Sequence, residues 1–165
     1  PTPTRTPTST PTPTSSPTAT PTPTATGVPD LSTSTKSASP SVVGYYQEVT
    51  YTIYLHNTGT GPASIDFVDA PPLVYVAGSA VGGIWWDDAA RSIRWQGILA
   101  RGESRIFQFR AYGPPPGIPV NTVYTNRVTI RDGTGQAIER TADVLANPAT
   151  PTPAVWRAYL PVILK

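Results

Sequence analysis

The chain of 165 residues contains no cysteine and no methionine, and its only histidine is His56. Without cysteine the chain forms no disulfide and no metal site with thiolate ligands. A zinc site or a serine triad would have to use His56, and no residue near it in the sequence has ligand or triad spacing. We therefore predict that the protein is not an enzyme and that it holds no metal or cofactor.

Long apolar runs and clustered basic residues are also missing. No run approaches the roughly 18–20 apolar residues that span a bilayer, so we predict no membrane span. Residues 27–147 hold nine basic and ten acidic side chains, which leaves no basic stripe to neutralise phosphates and predicts no nucleic-acid partner. The chain starts in mid-repeat at Pro1 without an initiator methionine or signal peptide, which predicts a processed product.

Proline and threonine are abundant instead, and they dominate residues 1–26. Every even position is Thr except Ser16, and most odd positions are Pro. This segment has no aromatic or large aliphatic residue to bury, and its composition is typical of a disordered linker or of an O-glycosylated stalk. We predict the stalk, with covalent glycans on Thr2, Thr4, Thr6, Thr8, Thr10, Thr12, Thr14, Thr18, Thr20, Thr22, Thr24 and Thr26.

The clearest structural signal lies at residues 48–56. Apolar and polar side chains alternate there with a period of two, and many of them are β-branched or aromatic, which predicts a strand with one face in a core. Asn57 to Gly61 then supplies turn residues. We expect the rest of the folded part to be arranged around this strand.

Further strands follow from the same reasoning, and together they predict an all-β antiparallel sandwich of two sheets over residues 27–147. Residues 40–46 are interpreted as a turn, and residues 27–30 and 147–153 as flexible linkers. The expected core includes Tyr51, Ile53, Leu55, Phe107, Phe109 and Val128. The additional strands are placed at 31–39, 64–68, 73–76, 84–86 with 92–96, 105–112, 123–131 and 136–145.

The end of the chain changes character twice. Residues 148–153 repeat the Pro/Thr chemistry and predict a linker, whereas 154–165 alternate apolar residues and predict a strand. That strand would use Trp156, Leu160, Val162 and Leu164 to complete the sheet edge of another subunit. The alternatives are that the Pro/Thr segment 1–26 is the donated strand, or that 154–165 folds back onto its own sheet. The closing YLPVILK resembles a terminal segment in surface proteins of some filamentous bacteria.

Residues 31–145 resemble the domain-of-unknown-function-eleven repeat, an immunoglobulin-like sandwich of prokaryotic surface proteins. The resemblance rests on VTYTI at 49–53, NTG at 57–59, Asp69 with the prolines that follow it, and NRV at 126–128. The segment GPPPGIP at 113–119 departs from the family pattern. The resemblance implies an extracellular, cell-surface location and says little about activity.

Three candidate chemistries remain. Trp85 and Trp86 next to Asp87 and Asp88 resemble a sugar site, but neighbouring strand residues point to opposite faces, so we favour a charged hairpin tip. A calcium site built from Asp66, Asp69, Asp87 or Asp88 has no loop motif to support it.

The third candidate is a covalent bond. Some surface sandwiches join a lysine of an early strand to an asparagine of a late strand by an isopeptide bond, with help from a buried carboxylate. Here the residues would be Lys36, Asn126 and Asp69. The competing interpretation is an exposed lysine and an asparagine at a strand end.

Together these features predict an extracellular structural protein, a homo-polymer that forms a cell-surface filament or surface layer through strand or tail contacts. The alternative is a stalked adhesin or carbohydrate-binding module, which would be monomeric and would expose an aromatic platform such as Trp85 or Trp86.

Overall fold

A computed structural model describes residues 27–119 and 121–147. Within these ranges the chain forms ten strands and no helix. The strands are β1 (Thr35–Ser39), β2 (Val42–Val43), β3 (Glu48–His56), β4 (Ala63–Asp69), β5 (Val74–Tyr75), β6 (Trp85–Asp87), β7 (Ser92–Leu99), β8 (Ser104–Tyr112), β9 (Thr122–Arg131) and β10 (Ala137–Ala146).

The strands form two sheets that pack face to face. The four-stranded sheet has the order β1-β3-β8-β5, and the six-stranded sheet has the order β2-β10-β9-β4-β7-β6. All pairings are antiparallel except that of β2 with β10. The all-β sandwich predicted from the alternation is confirmed, as is the immunoglobulin-like fold that the resemblance implies.

The core lies between β3 and β8 on one side and β4, β7 and β9 on the other. β3 alternates between buried and half-buried residues over its whole length, as its sequence predicts, and it pairs with β8 from Glu48 opposite Tyr112 to His56 opposite Ser104. The six predicted core residues are all fully buried, which confirms the predicted register. They are Tyr51, Ile53, Leu55, Phe107, Phe109 and Val128.

Two short segments differ from the prediction. β1 begins at Thr35 and not at residue 31, because the Ser34 amide donates to the Leu31 carbonyl at 3.0 Å and closes a turn before the strand. The predicted turn at 40–46 contains β2, whose two residues pair with the end of β10. A two-residue strand is too short to produce a periodic signal.

The segment 27–30 is not the predicted flexible linker. The Thr60 amide donates to the Val28 carbonyl at 2.8 Å, and the Thr58 amide donates to the Asp30 carbonyl at 2.8 Å. This contact requires glycine, because a Cβ added at Gly59 would lie 2.3 Å from the Val28 carbonyl oxygen. The segment is therefore held against the loop that follows β3.

The described chain enters and leaves the sandwich at opposite ends. Gly27 lies against Gly61, beyond the C-terminal end of β3. Asn147 donates its amide to the Val43 carbonyl at 2.8 Å, beside the turn that precedes β3. The two points are thus separated by about the length of this nine-residue strand, roughly 30 Å.

The described residues include no helix of the length and apolar character needed to cross a membrane.

Candidate functional site

Three polar side chains meet in the interior of the sandwich. Lys36 projects inward from β1 in the four-stranded sheet, and Asp69 and Asn126 project inward from β4 and β9 in the other sheet. The side chains of Lys36 and Asp69 are fully buried, and Asn126 is 0% exposed. The structure thus brings together the three residues that the sequence suggested for a covalent bond.

The strand register explains this convergence. Asp69 is the last residue of β4 and lies opposite Val128 of β9. Asn126 is two positions before Val128, so both face the same side of the sheet, and Asn126 becomes the diagonal neighbour of Asp69. Lys36 approaches the pair from the facing sheet.

Lys36 and Asp69 form a buried ion pair, in which Lys36 Nζ contacts Asp69 Oδ2. The ammonium also lies 5.4 Å from the centre of the Tyr51 ring and 5.9 Å from that of Phe109. Both aromatic residues are fully buried. The lysine is therefore enclosed by aromatic faces with one carboxylate as its charged partner.

Asn126 is the least satisfied member of the cluster. Neither Asn126 Nδ2 nor Asn126 Oδ1 has a hydrogen-bond partner among the described residues, and the same holds for Asp69 Oδ1. The amide is nevertheless close enough to Asp69 to lower the pKa of its carboxyl, without the geometry of a formed hydrogen bond. A buried polar group left without a partner usually costs about 1–3 kcal/mol, so this amide requires an explanation.

Burial moves both titratable groups of the cluster toward their neutral forms. Loss of hydration lowers the pKa of Lys36 from 10.5 to about 8, and the charge and hydrogen bond of Asp69 oppose this shift. Loss of hydration also raises the pKa of Asp69, with Lys36 and Asn126 opposing it. The cluster can therefore present an uncharged amine, a protonated carboxyl and an amide side by side.

Tyr51 contributes a further buried polar atom. Its hydroxyl has no hydrogen-bond partner among the described residues. Burial, together with the charges of Asp69 and Asp143, raises the pKa of this phenol, so the group stays protonated. Its position as an inward residue of β3 was predictable, but its part in enclosing Lys36 was not, because that contact depends on how the strands pair.

The other candidate residues do not form a common site. His56 is half-buried, and its Nδ1 lies 3.4 Å from Thr33 Oγ1. Asp87 pairs with Arg94 at 3.0 Å, and Asp88 accepts from the Trp86 indole at 2.6 Å. Within residues 27–119 and 121–147, no group of three or more potential ligand side chains is arranged to hold a metal.

An aromatic surface lies at the edge of the six-stranded sheet. Trp85 is 44% exposed, whereas Trp86 is half-buried and stacks on Tyr75 with ring centres 4.6 Å apart. Asp88 and Arg91 line the adjoining groove, whose volume is about 500 Å³. Trp85 is therefore the more exposed of the two neighbouring tryptophans.

The predicted glycosylation sites between Thr2 and Thr26 lie outside the described residues, as do Trp156, Leu160, Val162 and Leu164 of the predicted assembly strand.

Comparison with known proteins shows the fold. No family model matches the chain, and no curated protein matches it at a significant level, so the resemblance to the domain-of-unknown-function-eleven repeat stays a prediction. The major pilin subunit BcpA of Bacillus cereus is similar in structure, with a TM-score of 0.50 and 11% identity over 70% of this chain and 40% of the pilin. The CARDB domain of the PF1109 protein from Pyrococcus furiosus gives a TM-score of 0.43 and 18% identity over 72% of this chain and 88% of that domain.

The bacterial hydrophobin BslA gives a TM-score of 0.45 and 12% identity over 72% of this chain and 98% of that protein. At these identities the likeness concerns the sandwich alone.

Proposed function

We propose that this protein is an extracellular structural protein, a subunit of a cell-surface filament or surface layer that carries load through its sandwich. The observation that carries the proposal is the position of the two ends. The described chain enters beside Gly61 and leaves beside Val43, at opposite ends of β3. A domain connected in this way transmits tension along its long axis.

The short parallel pairing supports the same function. β2 and β10 run in the same direction, and the Leu145 amide donates to the Ser41 carbonyl at 2.8 Å. Opposed forces on the two ends of the chain load these bonds in shear, so they must break together and not one after another. The buried cluster adds a second connection between the two sheets, from β1 to β4 and β9.

The tails supply the means of assembly in this proposal. An open sandwich leaves sheet edges that accept an added strand, and residues 154–165 have the alternation of such a strand. The Pro/Thr segment 1–26 carries the O-linked glycans and holds the domain away from its attachment point. Both statements rest on the sequence.

Deletion of each tail tests the assembly. Removal of residues 154–165 should leave a folded monomer that no longer sediments as a polymer or forms filaments in electron micrographs. Removal of residues 1–26 is the matched control and should leave polymers intact. Filaments that persist without residues 154–165 would show that the C-terminal strand is not the donor, and filaments that persist without either tail would exclude assembly by the tails.

Intact mass spectrometry of protein from its native source tests the glycans. We expect masses well above the 17.5 kDa of the polypeptide, in steps of sugar residues that map to the segment 2–26. A native mass equal to that of the polypeptide would contradict the proposed stalk.

A second candidate function is sugar binding, and one surface favours it. The exposed face of Trp85 and the groove lined by Tyr75, Trp86, Asp88 and Arg91 combine aromatic and charged groups. Such a module would bind soluble oligosaccharides as a monomer, with an affinity that Trp85→Ala removes. A polymer without measurable sugar binding would exclude this alternative.

A further inference from the structure

The buried cluster is unusual as a purely structural feature. Taking an ion pair out of water is costly, and a buried pair often stabilises no more than apolar residues of the same volume. Here the pair is accompanied by Asn126, an amide that is 0% exposed and has neither its donor nor its acceptor satisfied among the described residues. The burial of these three polar groups together costs stability. A role of the amide as a reactant would explain why the fold keeps them there.

The lysine is prepared to act as a nucleophile. Only an uncharged amine has the lone pair that attacks a carbonyl carbon. The rings of Tyr51 and Phe109 exclude water from Lys36, and this burial favours the uncharged form of the amine. Asp69 lies against the same nitrogen and can accept the proton that the amine loses.

The carboxyl is prepared to activate the amide. Asp69 contacts Lys36 through Oδ2, its other oxygen, Oδ1, has no hydrogen-bond partner among the described residues, and the Asn126 amide is close enough to the carboxyl to lower its pKa. A protonated carboxyl in this position donates to the amide oxygen and draws electrons away from its carbon. The three groups thus fill the roles of nucleophile, acid–base group and electrophile.

We propose that Lys36 and Asn126 join in an isopeptide bond, with Asp69 as the catalytic acid–base group. Lys36 Nζ attacks Cγ of Asn126, and Asp69 protonates the amide oxygen as the tetrahedral intermediate forms. Asp69 then takes the proton from Nζ and delivers it to the departing nitrogen, and as the carbonyl re-forms the proton on the amide oxygen returns to Asp69. The new bond joins Nζ to Cγ, the Cγ–Nδ2 bond breaks, and one ammonia molecule leaves without any redox change.

This bond ties the two sheets together covalently. Lys36 belongs to β1 of the four-stranded sheet and Asn126 belongs to β9 of the six-stranded sheet. The bond closes a loop that contains residues 37–125, which is most of the sandwich. Its formation is intramolecular and does not depend on polymer formation or glycans.

Mass spectrometry of the full chain tests the proposal, with the protein produced in a host that adds no glycans. We expect a mass lower than that of the sequence by one ammonia molecule, and a proteolytic map with one branched peptide that contains both Lys36 and Asn126. Asn126→Ala, Lys36→Arg and Asp69→Asn should each have the full mass of their sequence. Asn121→Ala changes the asparagine just before β9 and is the matched control, so it should still lose ammonia.

Two results would overturn the proposal. One is wild-type protein of full mass whose Lys36 reacts with amine reagents after denaturation, and this result is decisive even if a variant fails to fold. The other is loss of ammonia that persists in Lys36→Arg, because it would come from cyclisation of an asparagine elsewhere. Circular dichroism of Asp69→Asn, which has nearly the shape of the native residue, separates lost chemistry from lost folding.

Discussion

At the scale of single residues, burial decides which side chains matter to stability. Ile53 of β3 and Ile106 of β8 are the same residue type on paired strands, but Ile53 is fully buried and Ile106 is 59% exposed. The alternation of each strand places one in the core and the other in solvent.

Ile53→Ala should lower the free energy of unfolding by about 2–5 kcal/mol, because it removes buried methyl groups and leaves a cavity. Ile106→Ala is the matched control and should change it by less than about 0.5 kcal/mol. Urea denaturation of both variants measures the difference. Equal stabilities would mean that the register of β3 is wrong by one residue.

The buried lysine predicts how stability depends on pH when the covalent bond cannot form. Burial lowers the pKa of Lys36 from 10.5 to about 8 in the folded state, and Asn126→Ala leaves Lys36 buried against Asp69, so the folded state of the variant should bind fewer protons between these values. Stability should therefore rise by roughly 1–2 kcal/mol between about pH 8 and pH 10. Denaturant titrations at several pH values measure this.

Asp69 and Tyr51 act in the opposite direction. Both have a raised pKa, so the folded state keeps their protons up to a higher pH than the unfolded state does. The free energy of unfolding therefore falls as the pH rises from the unfolded to the folded pKa of each group. Tyr51 begins to lower the free energy of unfolding only above pH 10, because the pKa of its phenol in the unfolded state is 10.0. The double variant Asn126→Ala with Lys36→Met is the control and should lack the rise; a rise that remains in it would assign the effect to another group.

At the scale of elements, Asn57 joins the loop after β3 to three neighbours. Its Nδ2 donates to the carbonyls of Gly61 and Leu99 at 2.9 Å and 3.1 Å, and its Oδ1 accepts from the Asp30 amide at 3.1 Å. Gly59 completes this arrangement by leaving room for the Val28 carbonyl. The NTG motif at 57–59 thus holds residues 27–30 against the sandwich.

Gly59→Ala should release residues 27–30 from this loop, since the added Cβ would overlap backbone atoms of Val28 and Asp30. We expect the amides of Thr58 and Thr60 to exchange with deuterium at least tenfold faster, because both donate to the released segment. Thr58→Ala is the control, since it removes only side-chain bonds to Asp30. Unchanged exchange in Gly59→Ala would show that the segment is not held by this contact.

The long strands could be predicted from the sequence, and so could the short β5 and β6 within 73–76 and 84–86, but β2 could not. β3, β8, β9 and β10 each have nine or ten residues, enough for a period of two to appear. β2 has two residues, and its strand geometry comes from pairing with β10. The docking of residues 27–30 was missed for a similar reason, since it depends on hydrogen bonds to residues about thirty positions away.

The candidate site was only partly predictable. The residue types of Lys36, Asp69 and Asn126 were visible in the sequence, but their meeting depends on the order of the strands and on the facing of two sheets. The enclosure by Tyr51 and Phe109 depends on the same packing. Alternation gives the face of each residue and does not give its neighbours in the opposite sheet.

At the scale of the whole molecule, the proposed bond changes how far the chain extends under force. When the full chain is pulled from both ends, the wild type should keep residues 37–125 inside the closed loop. Asn126→Ala should lengthen by roughly 300 Å more on unfolding, at about 3.4 Å for each released residue. Single-molecule force spectroscopy measures this difference, with Asn121→Ala as the control, and equal extensions would exclude the covalent link.

The three strands that carry the cluster also set when its chemistry can begin. Lys36 is separated by 33 positions from Asp69, and Asn126 lies in the strand before the last. During synthesis the first two residues emerge long before the third, and in the open chain the lysine is hydrated and charged. The proposed reaction therefore has to wait until β9 has been made and both sheets have closed, so that the cross-link would mark a finished fold and would not trap an early one.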